Sequence, residues 1–216
     1  ARTALEHQPV EAWGQRIAVE RNVDALLEST VALARCAKDD PSQAIVSALA
    51  GLSWRRLNER QRRSLLRVYG VTIARHGNPT AAQRQSILRQ IDKAFPADNA
   101  PLNQELARLL ISLDASQIVE RTVAQMLAAP TQQEQINYAL FLRNAKEGWS
   151  PQLRTDYFEW FVAAGTHRGG HSFQGFLRNI RNESASELSD AEKATYAELL
   201  KKPLSETPPE GPPREF

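Results

Sequence analysis

Helix-start signals punctuate the chain at nearly even intervals, and that spacing restricts the fold more than any other feature of the sequence. Asn22, Asp40, Asn58, Thr80, Asn99, Asp114, Thr131, Ser150, Ser172 and Ser189 each carry a short polar side chain suited to an N-cap. Asn58 with Gln61, Thr80 with Gln83, Thr131 with Glu134 and Ser189 with Glu192 have capping-box spacing, and Asp114 with Gln117 repeats it in looser form. Proline follows Asp40 and Ser150 directly, where its missing N–H costs a helix nothing. Successive starts lie 15 to 22 residues apart. Two such intervals make a helix pair of roughly 35–40 residues, close to the period of HEAT-type repeats.

Apolar stripes fill the intervals. Leu106, Leu109, Leu110 and Leu113 fall at i, i+3, i+4, i+7, and Val119, Val123, Met126 and Leu127 at i, i+4, i+7, i+8. Ile136, Ala139 and Leu140 form a third stripe, widened by Tyr138, Phe141 and Leu142; Leu153, Tyr157, Trp160 and Phe161 form a fourth. Strand-like alternation is missing. The expected fold is therefore all-α, an α-solenoid of about five or six antiparallel helix pairs (HEAT/armadillo-like) over residues 1–202. A compact bundle of the same helices is the competing arrangement. Residues 203–216 hold five prolines without periodicity and read as a linker or tail.

Composition narrows the function classes. A net charge of +2 does not by itself call for a polyanionic partner, although residues 1–100 carry 15 basic against 10 acidic side chains and residues 101–216 carry 12 against 15. One cysteine, Cys36, excludes an internal disulfide and a thiolate metal cluster; it reads as a small buried helix residue. No apolar run reaches the 18 residues that a membrane-spanning helix needs. The chain opens at Ala1 already in helical pattern, with neither an initiator Met nor a signal peptide, so a piece of a longer protein is expected.

Two stretches are candidates for chemistry. Arg56, Arg60, Arg63 and Arg67 are spaced i, i+4, i+7, i+11, a single helical stripe with Leu65, Leu66, Tyr69 and Ile73 on the other side. Such a row suits contact with an anion or a partner, nucleic-acid phosphates included, whereas the plainer reading is a solvated or ion-paired face. The second stretch is the glycine-rich connector around Gly169 and Gly170. A Gly-Gly turn before a helix can present amides to an anion, but no phosphate-loop or dinucleotide fingerprint accompanies it. His167 and His171 lie in this loop, so they do not share a helix face as paired metal ligands would, and neither Asp156 nor Glu159 has matching spacing. The aromatic set Trp149, Tyr157, Phe158, Trp160 and Phe161 reads as core. No enzyme, metal site or cofactor is expected in this chain.

A family likeness emerges at Asn103-Gln104-Glu105-Leu106, Ala129-Pro130-Thr131-Gln132, Glu147-Gly148-Trp149-Ser150, Tyr157-Phe158-Glu159-Trp160 and Gly169-Gly170-His171-Ser172-Phe173. The sequence resembles the HEAT-like helical region of large exported proteins of planctomycete-type bacteria, in which that region often precedes a c-type cytochrome domain. The resemblance is best from Asn99 to Leu200. It implies a non-catalytic scaffold or protein-interaction segment of an exported, haem-linked protein, with a protein partner or attached domains of the same polypeptide as its contacts. This chain lacks the CxxCH haem-attachment motif, so no functional residue carries over. The alternative reading is a helical repeat that binds nucleic acid through the arginine stripe.

Overall fold

A computed structural model describes residues 2–204. Their regular elements are all helical, α-helices and short 3-10 turns joined by loops, with no strand among the described residues. No helix in the described residues is long and apolar enough to cross a membrane. The chain divides after Ala115 into two compact units. Beyond Leu204, the expected proline-rich tail lies outside the described residues.

The first unit holds α1 (Arg2–Glu6), α2 (Val23–Cys36), α3 (Ser42–Leu49), α4 (Glu59–His76), α5 (Ala81–Ile91) and α6 (Ala100–Ser112). Helix α2 packs against α1, α3 and α4; α4 packs in turn against α6, and α3 against α5. Leu27, Val31, Leu65, Leu66, Leu106 and Leu110 are among its buried side chains, each contributing about 1.5–3 kcal/mol on leaving water. Polar groups fasten the helices to one another. Gln90 on α5 accepts from the Tyr69 hydroxyl of α4 at 2.6 Å and donates to the Leu49 and Leu52 carbonyls. A ring nitrogen of His76 lies 2.8 Å from the Ala34 carbonyl of α2.

The second unit holds α7 (Ile118–Ala128), α8 (Gln132–Leu142), α9 (Pro151–Ala164), α10 (Phe173–Ser186), α11 (Asp190–Thr195) and α12 (Ala197–Lys201). Here α7 packs on α8 and α9, α10 on α8 and α9, and α12 on α9. Helix α9 is the hub. Its Tyr157, Phe158, Trp160 and Phe161 are buried as the sequence implied, and the Tyr157 hydroxyl donates to the Ala139 carbonyl at 2.9 Å while lying 2.8 Å from the Ser184 hydroxyl. Arg154 is buried on the same helix, its guanidinium 4.4 Å from the Trp149 ring centroid and its Nε 3.8 Å from Glu192. Leu127, expected in the α7 stripe, is 51% exposed; Ile118 and Thr122 join Val119, Val123 and Met126 on the buried face instead.

Most helix starts fall where the caps place them. The side chains of Asn22, Asn58, Thr80, Asn99, Thr131, Ser150 and Ser189 each accept from the amide three residues on. Asp114 does not cap α7. It sits at φ 43°, in the turn that ends α6, and its carbonyl accepts from Arg84 at 2.7 Å. Gln117, left-handed at φ 55°, precedes α7 in its place. Ser172 makes no side-chain cap bond. Asp40 accepts from the Ser42 amide at 2.9 Å, so α3 begins one residue later than a proline-first helix would.

Two carboxylates at helix starts should make stability fall in acid. The Ser189 amide and hydroxyl hold the Glu192 carboxyl below its ordinary value of 4.5, and the Ser42 hydroxyl and amide hold Asp40 below 3.8. Protons therefore bind the unfolded chain first as pH falls. The stabilisation from each group is complete above these ordinary values and is lost as pH drops through the lower folded ones. Urea midpoints measured from pH 5.5 to 3 should fall, and Glu192→Gln with Asp40→Asn should flatten that slope; an unchanged slope would refute the assignment.

A basic cleft between two helices

The arginine row survives in the structure, but shorter than its spacing suggested and with additions from another helix. Arg56 does not share the helix of the other three. The Asn58–Gln61 capping box starts α4 at Glu59, extended backbone at Asn58 breaks the helical phase, and buried Leu57 pins the chain just before it. Arg56 is left exposed on the 3-10 turn Trp54–Arg56. Arg62 is also taken out of the row: its Nε donates to the Trp54 carbonyl at 3.1 Å, and its guanidinium lies 5.5 Å from the Trp54 ring centroid.

Arg60, Arg63 and Arg67 line one wall of an open cleft of about 990 Å³, and Glu105 and Arg108 of α6 line it as well. Helix α4 supplies the longer wall because its opposite face, Leu65, Val68, Tyr69 and Thr72, is buried in the unit. Arg60 pairs with Asp24 at 2.8 Å and Arg108 with Glu105 at 2.6 Å, both at the surface, where such pairs contribute little. Among the described residues no ion-pair partner is found for Arg63 or Arg67. Past the arginines, Gly70, Val71, Ile73 and Ala74 continue the lining toward the helix end, so Ile73 borders the cleft rather than lying opposite the arginines as its spacing suggested. The α4 wall is thus rich in arginine, with Glu59, toward its start and small or apolar toward its end, while Glu105 and Arg108 of α6 keep the cleft charged on the other side.

Sequence spacing found Arg60, Arg63 and Arg67 but missed Arg108, Glu105 and the small residues. One signal was available within α4: Arg60, Arg63, Arg67, Gly70 and Ala74 have the a/d spacing of two heptads. Nothing local identifies α6 as the facing wall.

The glycine connector is a fastened loop. The Gln132 side chain donates to the Arg168 carbonyl at 2.6 Å and accepts from the Arg168 amide at 3.2 Å, holding the loop to α8. Gly169 approaches the Phe173 ring so closely that any Cβ would overlap it. His167 rests edge-on to Trp160 at 6.0 Å, and burial pushes its imidazole pKa down; His171 is exposed. No group of three or more His, Cys, Asp or Glu among the described residues is arranged to hold a metal ion. Cys36, at the end of α2, is half-buried, with its Sγ 3.8 Å from the Glu6 carbonyl oxygen.

Compared with known proteins, the chain matches no family model, no curated protein and no solved structure. Its functional reading therefore rests on its own geometry.

Proposed function

We propose that this chain is a non-catalytic helical scaffold, an interaction module that binds a protein partner or positions attached domains of its own polypeptide. The observation that carries the reading is the division of labour among its polar side chains. Gln90, His76, Tyr157 and Arg154 are spent on fastening one helix to another, while the charged row of α4 opens onto a cleft large enough for another segment of chain. Packing between helices two apart in sequence, α2 on α4 and α4 on α6, supports a repeat-like stack of the HEAT/armadillo kind, with the antiparallel pairs that the helix spacing implies. The resemblance to the helical region of exported planctomycete-type proteins supports the same role, and an exported parent protein is part of this proposal.

Nucleic-acid binding draws on the same arginines. Glu59 and Glu105 lie in the cleft, and the α4 wall is small or apolar toward its end, which suits a polyphosphate backbone poorly. Two measurements on residues 1–216 test the scaffold reading. Incubation with ester, phosphoester and glycoside substrates should give no turnover beyond that of the unfolded chain, and duplex DNA should not bind at 50 mM salt. Turnover that disappears on unfolding would overturn it, and DNA affinity falling steeply with salt would establish the alternative.

A further inference from the structure

We infer that the α4–α6 cleft is a receptor groove for one amphipathic helix, acidic along the half that faces Arg60, Arg63 and Arg67 and apolar along the half that faces Val71 and Ala74. The inference rests on reading the chain as an interaction module, and it names the partner. Three observations carry it. The cleft wall on α4 follows a heptad seam, Arg60, Arg63, Arg67, Gly70 and Ala74, and the facing row on α6, Glu105, Arg108, Leu109 and Ser112, runs i, i+3, i+4, i+7. Two helices presenting such rows across an open cleft offer a third helix the ridges it needs on both sides.

Gly70 is the second observation. Glycine weakens a helix interior, and here no neighbouring atom demands it: a Cβ at Gly70 would meet Arg108 Nη2 at 3.9 Å, an ordinary contact. The room it leaves opens into the cleft, where it lets another backbone come close. Charge is the third. Arg63 and Arg67 have no carboxylate partner among the described residues, so the wall they form is complementary to Asp and Glu placed opposite them, away from Glu59 and Glu105. From Arg60 to Ala74 the seam spans about 21 Å at 1.5 Å per residue, which matches an occupant of about 14 residues.

Fluorescence anisotropy on the intact 1–216 chain tests this with three labelled probes. One is a 16-residue helical peptide with Asp and Glu at the a and d positions of one half and Leu and Ala at those of the other. The second is the same composition shuffled, and the third a 16-base-pair DNA duplex. The patterned peptide should bind, and bind at least about tenfold more tightly than either control, with affinity that weakens as salt rises. The Arg63→Glu, Arg67→Glu double variant should lose at least about tenfold through charge, and Gly70→Leu a similar factor through lost space. Arg63 and Arg67 are exposed and Gly70 is half-buried at the edge of the cleft, so helical circular dichroism should remain unchanged in both variants. Equal binding of the shuffled peptide or the duplex, or undiminished binding by the variants, would overturn the inference. Failure of every probe to bind would overturn it too, while the scaffold reading would still stand or fall on the turnover assay.

Discussion

Replacing Gln90 with Ala should destabilise the protein by about 2–4 kcal/mol, far more than a half-buried surface-facing side chain ordinarily costs. The amide is the only hydrogen-bond acceptor found for the Tyr69 hydroxyl among the described residues, and Tyr69 is 1% exposed. It also donates to the Leu49 and Leu52 carbonyls, so a single side chain ties α5, α4 and the end of α3 together. Truncation strands a buried donor and removes both carbonyl contacts, and each orphaned group costs about 1–3 kcal/mol. Tyr69→Phe removes the donor instead and should cost only about 1 kcal/mol. Urea unfolding of the two variants checks the ranking. Equal losses would mean that the amide does not work as a three-way tie. Because α4 bears the arginine face on its other side, Gln90→Ala should also weaken the cleft's hold on the patterned peptide.

Phe161→Ala should have a still larger effect, about 3–5 kcal/mol. Its ring is fully buried, perpendicular to Tyr157 at 5.2 Å and close to edge-on to Trp160 at 5.0 Å. Removing it leaves a ring-sized void in the centre of α9 and breaks two aromatic contacts, each adding about 0.5–1.5 kcal/mol beyond area burial. Phe161→Leu keeps most of the volume and should lose only about 1–2 kcal/mol. Small domains are stable by about 5–15 kcal/mol, so the alanine variant should lose near-ultraviolet dichroism well below the temperature at which the parent does. A loss under about 1 kcal/mol would mean that α9 is not the hub of its unit.

Helix existence was legible in the sequence because capping is local. The hydroxyl or amide of Asn58, Thr80 or Ser189 meets an amide three residues away whatever the rest of the chain does. Asp114 shows the limit of that logic. Its spacing to Gln117 is that of a capping box, but the ladder closing α6, with the Ala115 amide on the Leu110 carbonyl and Arg84 on the Asp114 carbonyl, twists the backbone away first. Arg56 shows another: the phase of a stripe holds only within one helix, and buried Leu57 ends it. The candidate cleft was half readable. One wall is a pattern within α4, whereas the other depends on which helix lies against it, and Arg108 carries no local mark of that. His167 and His171, close in sequence, proved to be a half-buried ring against Trp160 and an exposed one.

Hydrogen exchange of the 1–216 chain with and without saturating patterned acidic peptide tests the central claim most directly. A helix seated in the groove should slow exchange along residues 60–74 of α4 and 105–112 of α6 and leave the 165–172 connector unchanged. Slowing confined to the connector, or exchange along α4 identical in the two states, would contradict a scaffold that works by receiving a helix in its arginine cleft.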